Sequence, residues 1–211
     1  MAPDYLLVER SVQEKLTGLL QQEITHFLGQ TPLDHPDYPR IINEKHLRRL
    51  EGLLTGGRIV CGGTVQNGRI APTLMDNLDS DAPIMQEEIF GPILPILPFD
   101  TLEEAMDYVS RRPKPLALYL FSRDKEVQKK VLTRLSFGGG CLNDTIVHLT
   151  SPTCPSAAWE PAAWAPTTAR PALTLSPTSR ASSSGAAGPT LPCAITPIPT
   201  KRTGCCAAFS W

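Results

Sequence analysis

Apolar runs alternate with amphipathic stretches between residues 93 and 149, and this alternation most constrains the fold. Continuous apolar runs are typical of strands covered on both faces of a parallel sheet, whereas apolar residues at three- and four-residue spacing are typical of helices. The pattern predicts strands at 93–99, 116–121 and 146–149, with helices from Thr101 to Arg112 and from Asp124 to Leu135. This order predicts an α/β fold with a mostly parallel sheet.

The first 80 residues carry similar but less regular signals. A buried strand is predicted at 5–8, and two capping boxes, Ser11–Glu14 and Thr101–Glu104, predict where helices begin. Asn43 is the expected cap of a helix over 44–54. Further strands are predicted at 58–61 and 69–75.

The composition changes at Ser151. Residues 151–211 hold ten of the 21 prolines and only five charged side chains, and no helical or strand period persists there. Such a segment has little apolar surface to bury, so it is expected to be disordered. The sequence therefore predicts a folded domain over 1–150 and a Pro/Ser/Ala-rich low-complexity tail over 151–211.

Charge and cysteine content exclude several classes of function. A net charge of −1 over 211 residues gives no support for binding nucleic acid or an anionic membrane surface. No apolar run approaches the ~18 residues of a membrane span, and the N-terminus does not resemble a secretory signal. The six cysteines show neither a paired motif nor a histidine at metal-binding spacing. We therefore expect reduced thiols, no metal site, no membrane anchor and a cytoplasmic location.

The segment Gln86-Glu87-Glu88-Ile89-Phe90-Gly91-Pro92 predicts a tight turn before the strand at 93–99. Gly91 can adopt backbone angles that other residues avoid, and Pro92 biases Gly91 away from helix. The turn would present a carboxylate and an aromatic ring side by side. By itself the segment is also compatible with a solvated acidic loop.

This segment resembles the Glu-Glu-Ile-Phe-Gly-Pro signature of the aldehyde dehydrogenase superfamily. Other segments resemble the class 3 branch, closest to its 3B type, in the same order over residues 1–150: Arg40–Asn43, Ile70–Thr73, Lys114–Tyr119, Asn143–Asp144 and His148–Thr150. The resemblance implies part of the three-layer, parallel-sheet catalytic domain of that family. It also implies NAD(P)-dependent oxidation of aldehydes to carboxylic acids, with NAD or NADP as cofactor.

The family mechanism assigns roles to a few positions of this sequence. By resemblance, Glu88 binds the nicotinamide ribose hydroxyls, Phe90 packs near the nicotinamide ring, and Asn143 supports the loop around the nucleophile. Ala2-Pro3-Asp4-Tyr5 matches the end of the nucleophile motif, which places the catalytic cysteine before Met1. We therefore expect no catalytic residue in this chain and doubtful cofactor binding by the chain alone.

The remaining thiols and the histidine near the tail are expected to be structural. Cys61 ends a predicted buried strand, and Cys141 follows three glycines, with no nearby histidine in sequence to activate either thiol. His148 is interpreted as a residue of the strand 146–149 rather than as a base.

The tail departs from the family sequence in a specific way. A coding sequence for Leu-Pro-Phe-Gly-Gly-Val-Gly-Ala-Ser-Gly-Met-Gly, translated a single nucleotide out of frame, gives the residues from Cys154 to Trp164. We hypothesise a shifted reading frame after Thr150. The chain is then a truncated, inactive enzyme. The alternatives are a non-enzymatic fragment that associates with full-length class 3 subunits as a homo- or hetero-oligomer, or a non-functional splice or frame product.

Overall fold

A computed structural model describes residues 3–79, 81–150, 181–184 and 206–210. The chain divides into two compact units, one running from Ala2 to Pro98 and the other from Phe99 onward. This division falls inside the predicted domain 1–150. The predicted boundary at residue 150 stays a prediction.

The first unit combines a sheet with two helices. The helices are α1 (Arg10–Leu28) and α2 (Glu44–Leu53). Its strands are β1 (Tyr5–Glu9), β2 (Arg58–Cys61), β3 (Val65–Gln66), β4 (Arg69–Ile70), β5 (Thr73–Asp76) and β6 (Ile93–Phe99). The sheet order is β2-β5-β6-β1, with β5 and β6 parallel and β2 antiparallel to β5. Strands β3 and β4 form a separate hairpin.

The second unit continues the strand–helix alternation. Its helices are α3 (Leu102–Ser110), α4 (Lys125–Arg134) and the single turn α5 (Val147–Thr150). Its strands are β7 (Ala117–Phe121), β8 (Gly139–Leu142), β9 (Ala181–Ser184) and β10 (Cys206–Ser210). The order is β10-β7-β8-β9, in which β7, β8 and β9 run parallel and β10 runs antiparallel to β7. The predicted α/β class with a parallel sheet is confirmed.

Local rules placed most helix starts correctly. Asn43 Oδ1 accepts a hydrogen bond from the His46 amide at 2.8 Å, and Thr101 Oγ1 accepts one from the Glu104 amide at 3.2 Å. The capping box predicted at Ser11 is wrong. Helix α1 begins at Arg10, so Ser11 lies inside the helix and Glu9 is the cap position. The Ser11 hydroxyl donates to the Glu9 carboxylate. Its first amides therefore receive no side-chain cap.

The strand predicted at 146–149 is also wrong. Residues 147–150 form helix α5, and the strand is β8, whose glycines give no β-propensity signal. A Cβ on Gly140 would lie 2.3 Å from the Leu118 carbonyl oxygen, so the close pairing with β7 requires glycine. Within the predicted disordered tail, β9 and β10 are strands, because the edges of β8 and β7 offer unpaired backbone groups to any extended segment. The rest of the tail lies outside the described residues.

Candidate functional site

The signature turn, residues 86–92, has one buried side chain between exposed neighbours. Ile89 is buried, whereas Glu88 and Phe90 face solvent. Phe90 as a whole is 73% exposed. Phe90 adopts φ of 52°, in the left-handed region that non-glycine residues rarely occupy. Backbone strain of this kind persists where surrounding contacts impose it. The turn therefore presents a carboxylate and an aromatic ring to solvent.

Helix α2 holds the turn from one side through successive carbonyl groups. The Arg49 guanidinium donates to the carbonyl oxygens of Glu88, at 3.3 Å, and of Ile89, and to the Glu87 carboxylate at 2.6 Å. Nε2 of His46 donates to the Phe90 carbonyl at 2.8 Å. His46 and Arg49 are three residues apart, so they lie on one face of the helix. Together they satisfy three consecutive carbonyls of the turn.

Asp4 holds the same turn from the other side. Its buried carboxylate accepts a hydrogen bond from the Ile89 amide at 3.0 Å. The turn also lies close to α2, since a Cβ on Gly91 would come within 2.6 Å of a Leu50 methyl carbon. Glycine is thus required at this position for the helix to approach. Asp4, His46 and Arg49 were not identified from the sequence, although the spacing of His46 and Arg49 on one helix face was visible there.

The Glu88 carboxyl group has a perturbed electrostatic environment. Its partial burial and the nearby Asp4 charge raise the pKa of Glu88, and the positive charge of Arg49 opposes this shift. A carboxylate whose proton is held more tightly than usual, beside an exposed ring, is typical of a binding or catalytic position.

Asn143 belongs to the second unit, at the end of β8. Its amide side chain makes a reciprocal pair of hydrogen bonds with Ser122, accepting from the backbone N–H at 2.9 Å and donating to the carbonyl at 3.1 Å. Its own N–H donates to the Leu120 carbonyl at 2.8 Å. With φ of 56°, Asn143 is in a left-handed conformation that asparagine tolerates. The residue fixes the segment after β8 onto the end of β7.

The two cysteines differ in burial. Cys141 is buried as predicted, at 2% exposed, whereas Cys61 is half-buried rather than buried. Sγ of Cys141 lies 3.4 Å from Nδ1 of His148, which is 1% exposed. This neighbour was not identified from the sequence. Residues seven apart face opposite ways in a strand and lie two turns apart in a helix, so the turn between β8 and α5 brings them together.

The predicted site residues thus fall in two places. Glu88 and Phe90 share the signature turn of the first unit, and Asn143 lies in the second unit, while the cofactor and support roles assigned to them stay predictions. Within the described ranges there is no cluster of three or more potential metal ligands. None of the helices in the described part of the chain is long and apolar enough to span a membrane.

Comparison with known proteins gives relatives of one kind. Over 159 residues the chain is 49% identical to 4,4'-diaponeurosporen-aldehyde dehydrogenase of Staphylococcus aureus, an alignment covering 74% of this chain and 35% of that protein. It is 48% identical over 157 residues to aldehyde dehydrogenase family 3 member B1 of Mus musculus, covering 74% of this chain and 34% of the relative. The chain therefore spans about a third of the length of these relatives.

Solved structures show the same similarity. The substrate-bound state of Staphylococcus aureus AldH superposes with a TM-score of 0.70 at 49% identity, over 73% of this chain and 34% of that structure. Lactaldehyde dehydrogenase from Escherichia coli superposes with a TM-score of 0.58 at 26% identity, over 66% of this chain and 31% of that structure. Residues 1–155 match the family model described as "Aldehyde dehydrogenase family". With the class 3 proteins among its relatives, the chain belongs to the aldehyde dehydrogenase family.

Proposed function

We propose that this chain supplies the cofactor-facing turn of an aldehyde dehydrogenase that oxidises aldehydes to carboxylic acids with NAD or NADP. The observation that carries the proposal is the signature turn. Ile89 is pinned inward by Asp4 and Arg49, which leaves Glu88 and Phe90 exposed on a backbone held from both sides. Such preorganisation reduces the cost of ordering a binding site.

Each side chain has a chemistry suited to a nicotinamide nucleotide. The Glu88 carboxylate accepts hydrogen bonds from ribose hydroxyls, and the Phe90 ring offers an apolar face to the nicotinamide. Asn143 braces the end of β7 through Ser122. The cofactor would supply the hydride acceptor, and the residues of this chain would orient it.

We infer that the 211-residue chain does not oxidise aldehydes by itself. The mechanism needs a thiolate that forms a covalent intermediate. The family nucleophile comes immediately before the residues matched by Ala2 to Tyr5, whereas Cys61 and Cys141 lie far later in the sequence. Cys61 is also half-buried, and Cys141 is enclosed beside His148. Aldehyde-dependent NADH formation by the purified chain is the direct test. Turnover that is lost in Cys61→Ser or Cys141→Ser would contradict this inference.

Cofactor contact is testable even at low affinity. We expect saturation-transfer NMR of the chain with millimolar NADH to show contact at the nicotinamide protons. Phe90→Ala and Glu88→Gln should reduce the signal. Phe27→Ala is a matched control, because Phe27 is also an exposed aromatic side chain of the first unit, at 56% exposure. An equal loss in the control, or no loss in either site variant, would refute the proposed contacts.

We further propose association with a full-length class 3 subunit as the alternative role. Helix α1 supports it, because Leu16 is its only buried residue over 19 positions. Its other apolar residues are half-buried or exposed, including Leu20, Ile24 and Phe27. Co-expression with aldehyde dehydrogenase family 3 member B1 should yield a complex that Ile24→Glu disrupts. Ser11→Glu, at an exposed position of the same helix, should leave the complex intact.

We also propose a cytoplasmic location and a shifted reading frame after Thr150. The reduced thiols of Cys61 and Cys141 suit a reducing compartment. Fractionation of cells that express the tagged chain tests the location. The frame hypothesis requires a coding sequence whose neighbouring frame encodes Pro-Phe-Gly-Gly-Val-Gly opposite residues 155–160. A coding sequence without that string would contradict the shifted reading frame.

A further inference from the structure

The Cys141–His148 pair has the geometry of a nucleophile with its base. Sγ and Nδ1 are 3.4 Å apart, within hydrogen-bonding reach for sulfur. The imidazole also packs against Tyr119 of β7, with ring centroids 5.7 Å apart, and over Gly139. A Cβ on Gly139 would lie 2.6 Å from Cδ2 of His148, so glycine makes the room that the ring occupies. The ring is therefore held in one position by its neighbours.

In the closed structure the imidazole is shielded from water, since His148 is 1% exposed. Burial lowers the pKa of His148, so the neutral ring has Nδ1 available to accept a hydrogen bond from the Cys141 thiol. The other titratable groups on the elements around the ring are Tyr119 of β7 and Asp144 of the connecting turn. Burial raises the pKa of Tyr119, and the segment Ala181–Ser184 of β9 carries no ionisable side chain.

The cover over this pair is a short helix that follows a strained turn. Helix α5 is a single turn, packed against β8 and β9. The turn that leads to it holds Ile146 at φ of 65°, which is a strained conformation for a β-branched residue. Ile146 and Val147 are 44% and 39% exposed, so moving them uncovers little additional apolar surface. A small displacement of α5 would admit water and a small molecule to the pair.

We propose that Cys141 and His148 form a gated site for covalent modification of the thiol by a small carbon electrophile, with His148 as the base. When α5 moves and water enters, the Cys141 proton passes to Nδ1 of His148, and the sulfur attacks the electrophilic carbon. With iodoacetamide as the probe, an S–C bond forms, the C–I bond breaks and iodide leaves with the bonding electrons. The imidazolium then returns its proton to water. This site is independent of the cofactor contacts at Glu88 and Phe90.

The test is alkylation of the full 211-residue chain by iodoacetamide, followed by peptide mass spectrometry. Cys61 of β2 is the reference thiol in the same sample. An ordinary thiol, with a pKa of ~8.5, is only about 3% thiolate at pH 7. We expect alkylation of Cys141 at about pH 7 to depend on His148. His148→Asn, which removes the base, should slow it about tenfold or more at pH 7 relative to Cys61, with the difference disappearing near pH ~9.5.

Two further measurements separate the gate from unfolding. Gly139→Ala crowds the ring and should speed the modification of Cys141 while leaving the rate at Cys61 unchanged. Hydrogen exchange of the β7 amides should be slower than alkylation of Cys141, because local opening precedes global unfolding. The proposal is overturned by a Cys141 rate that is insensitive to His148→Asn, by no reaction of Cys141 in the folded chain, or by alkylation no faster than β7 exchange.

Discussion

Replacing Arg49 by methionine should release the signature turn from helix α2. The substitution keeps an apolar stem of similar length and removes the guanidinium that donates to the carbonyls of Glu88 and Ile89. The chain should remain folded, since neither the Asp4 hydrogen bond to the Ile89 amide nor the α2 cap at Asn43 involves Arg49. The expected effect is local opening of residues 86–92.

The magnitude follows from the contacts. A hydrogen bond from a charged donor contributes about 1.5–3 kcal/mol. One of the two carbonyl contacts of Arg49 is long, at 3.3 Å, and its side chain is 29% exposed, so the lower end applies to each. The ion pair with Glu87, whose side chain is 55% exposed, adds only ~0–1 kcal/mol. A loss of about 3 kcal/mol corresponds to a roughly 100-fold increase in the opening equilibrium.

The assay is native-state hydrogen exchange at the Ile89 amide, which is protected through its bond to Asp4. Arg48→Met is the matched control on the same helix. Arg48 pairs with Glu44 at 3.2 Å, but both side chains are largely exposed, at 75% and 69%. An exposed pair at this spacing contributes about 0.3–0.5 kcal/mol, so the control should change exchange by no more than about threefold. Equal effects of the two substitutions would refute the reasoning.

Three further predictions concern the stability of each unit. Gly91→Ala should destabilise the fold by about 1–3 kcal/mol, because the new Cβ would meet Leu50. Gly18→Ala in the middle of α1 should stabilise the fold by about 0.5–1 kcal/mol, because nothing lies within 4 Å of the new Cβ. Urea unfolding measures both effects. Asn143→Ala should cost about 1–3 kcal/mol through its lost bonds to the end of β7, and Asn143→Gly should cost less in the same assay, because glycine adopts the positive φ freely. Burial lowers the pKa of His148 in the folded chain, so the unfolded chain binds the proton more readily. The contribution of neutral His148 to stability is therefore complete above about pH 6.5 and is lost as pH falls. The urea midpoint should decrease from about pH 7.5 to about pH 5.5, and this decrease should be smaller in His148→Asn.

The sequence by itself determined the elements whose signals are local. The apolar run at 117–121 is strand β7, and the caps at Asn43 and Thr101 begin α2 and α3. These assignments succeed because capping and burial patterns depend on residues a few positions apart. The signature turn was equally visible, since Gly91 widens and Pro92 restricts the backbone conformations available within the motif itself.

Only the tertiary structure decided what surrounds those elements. Arg49 meets the carbonyl of Ile89 across 40 positions, and Asp4 meets the amide of the same residue across 85. Strand β8 consists mainly of residues without β-propensity and exists because glycine lets it approach β7. The Cys141–His148 pair arises from a turn that no periodic pattern describes. Contacts between distant positions depend on how the elements pack, and a local pattern carries no information about that packing.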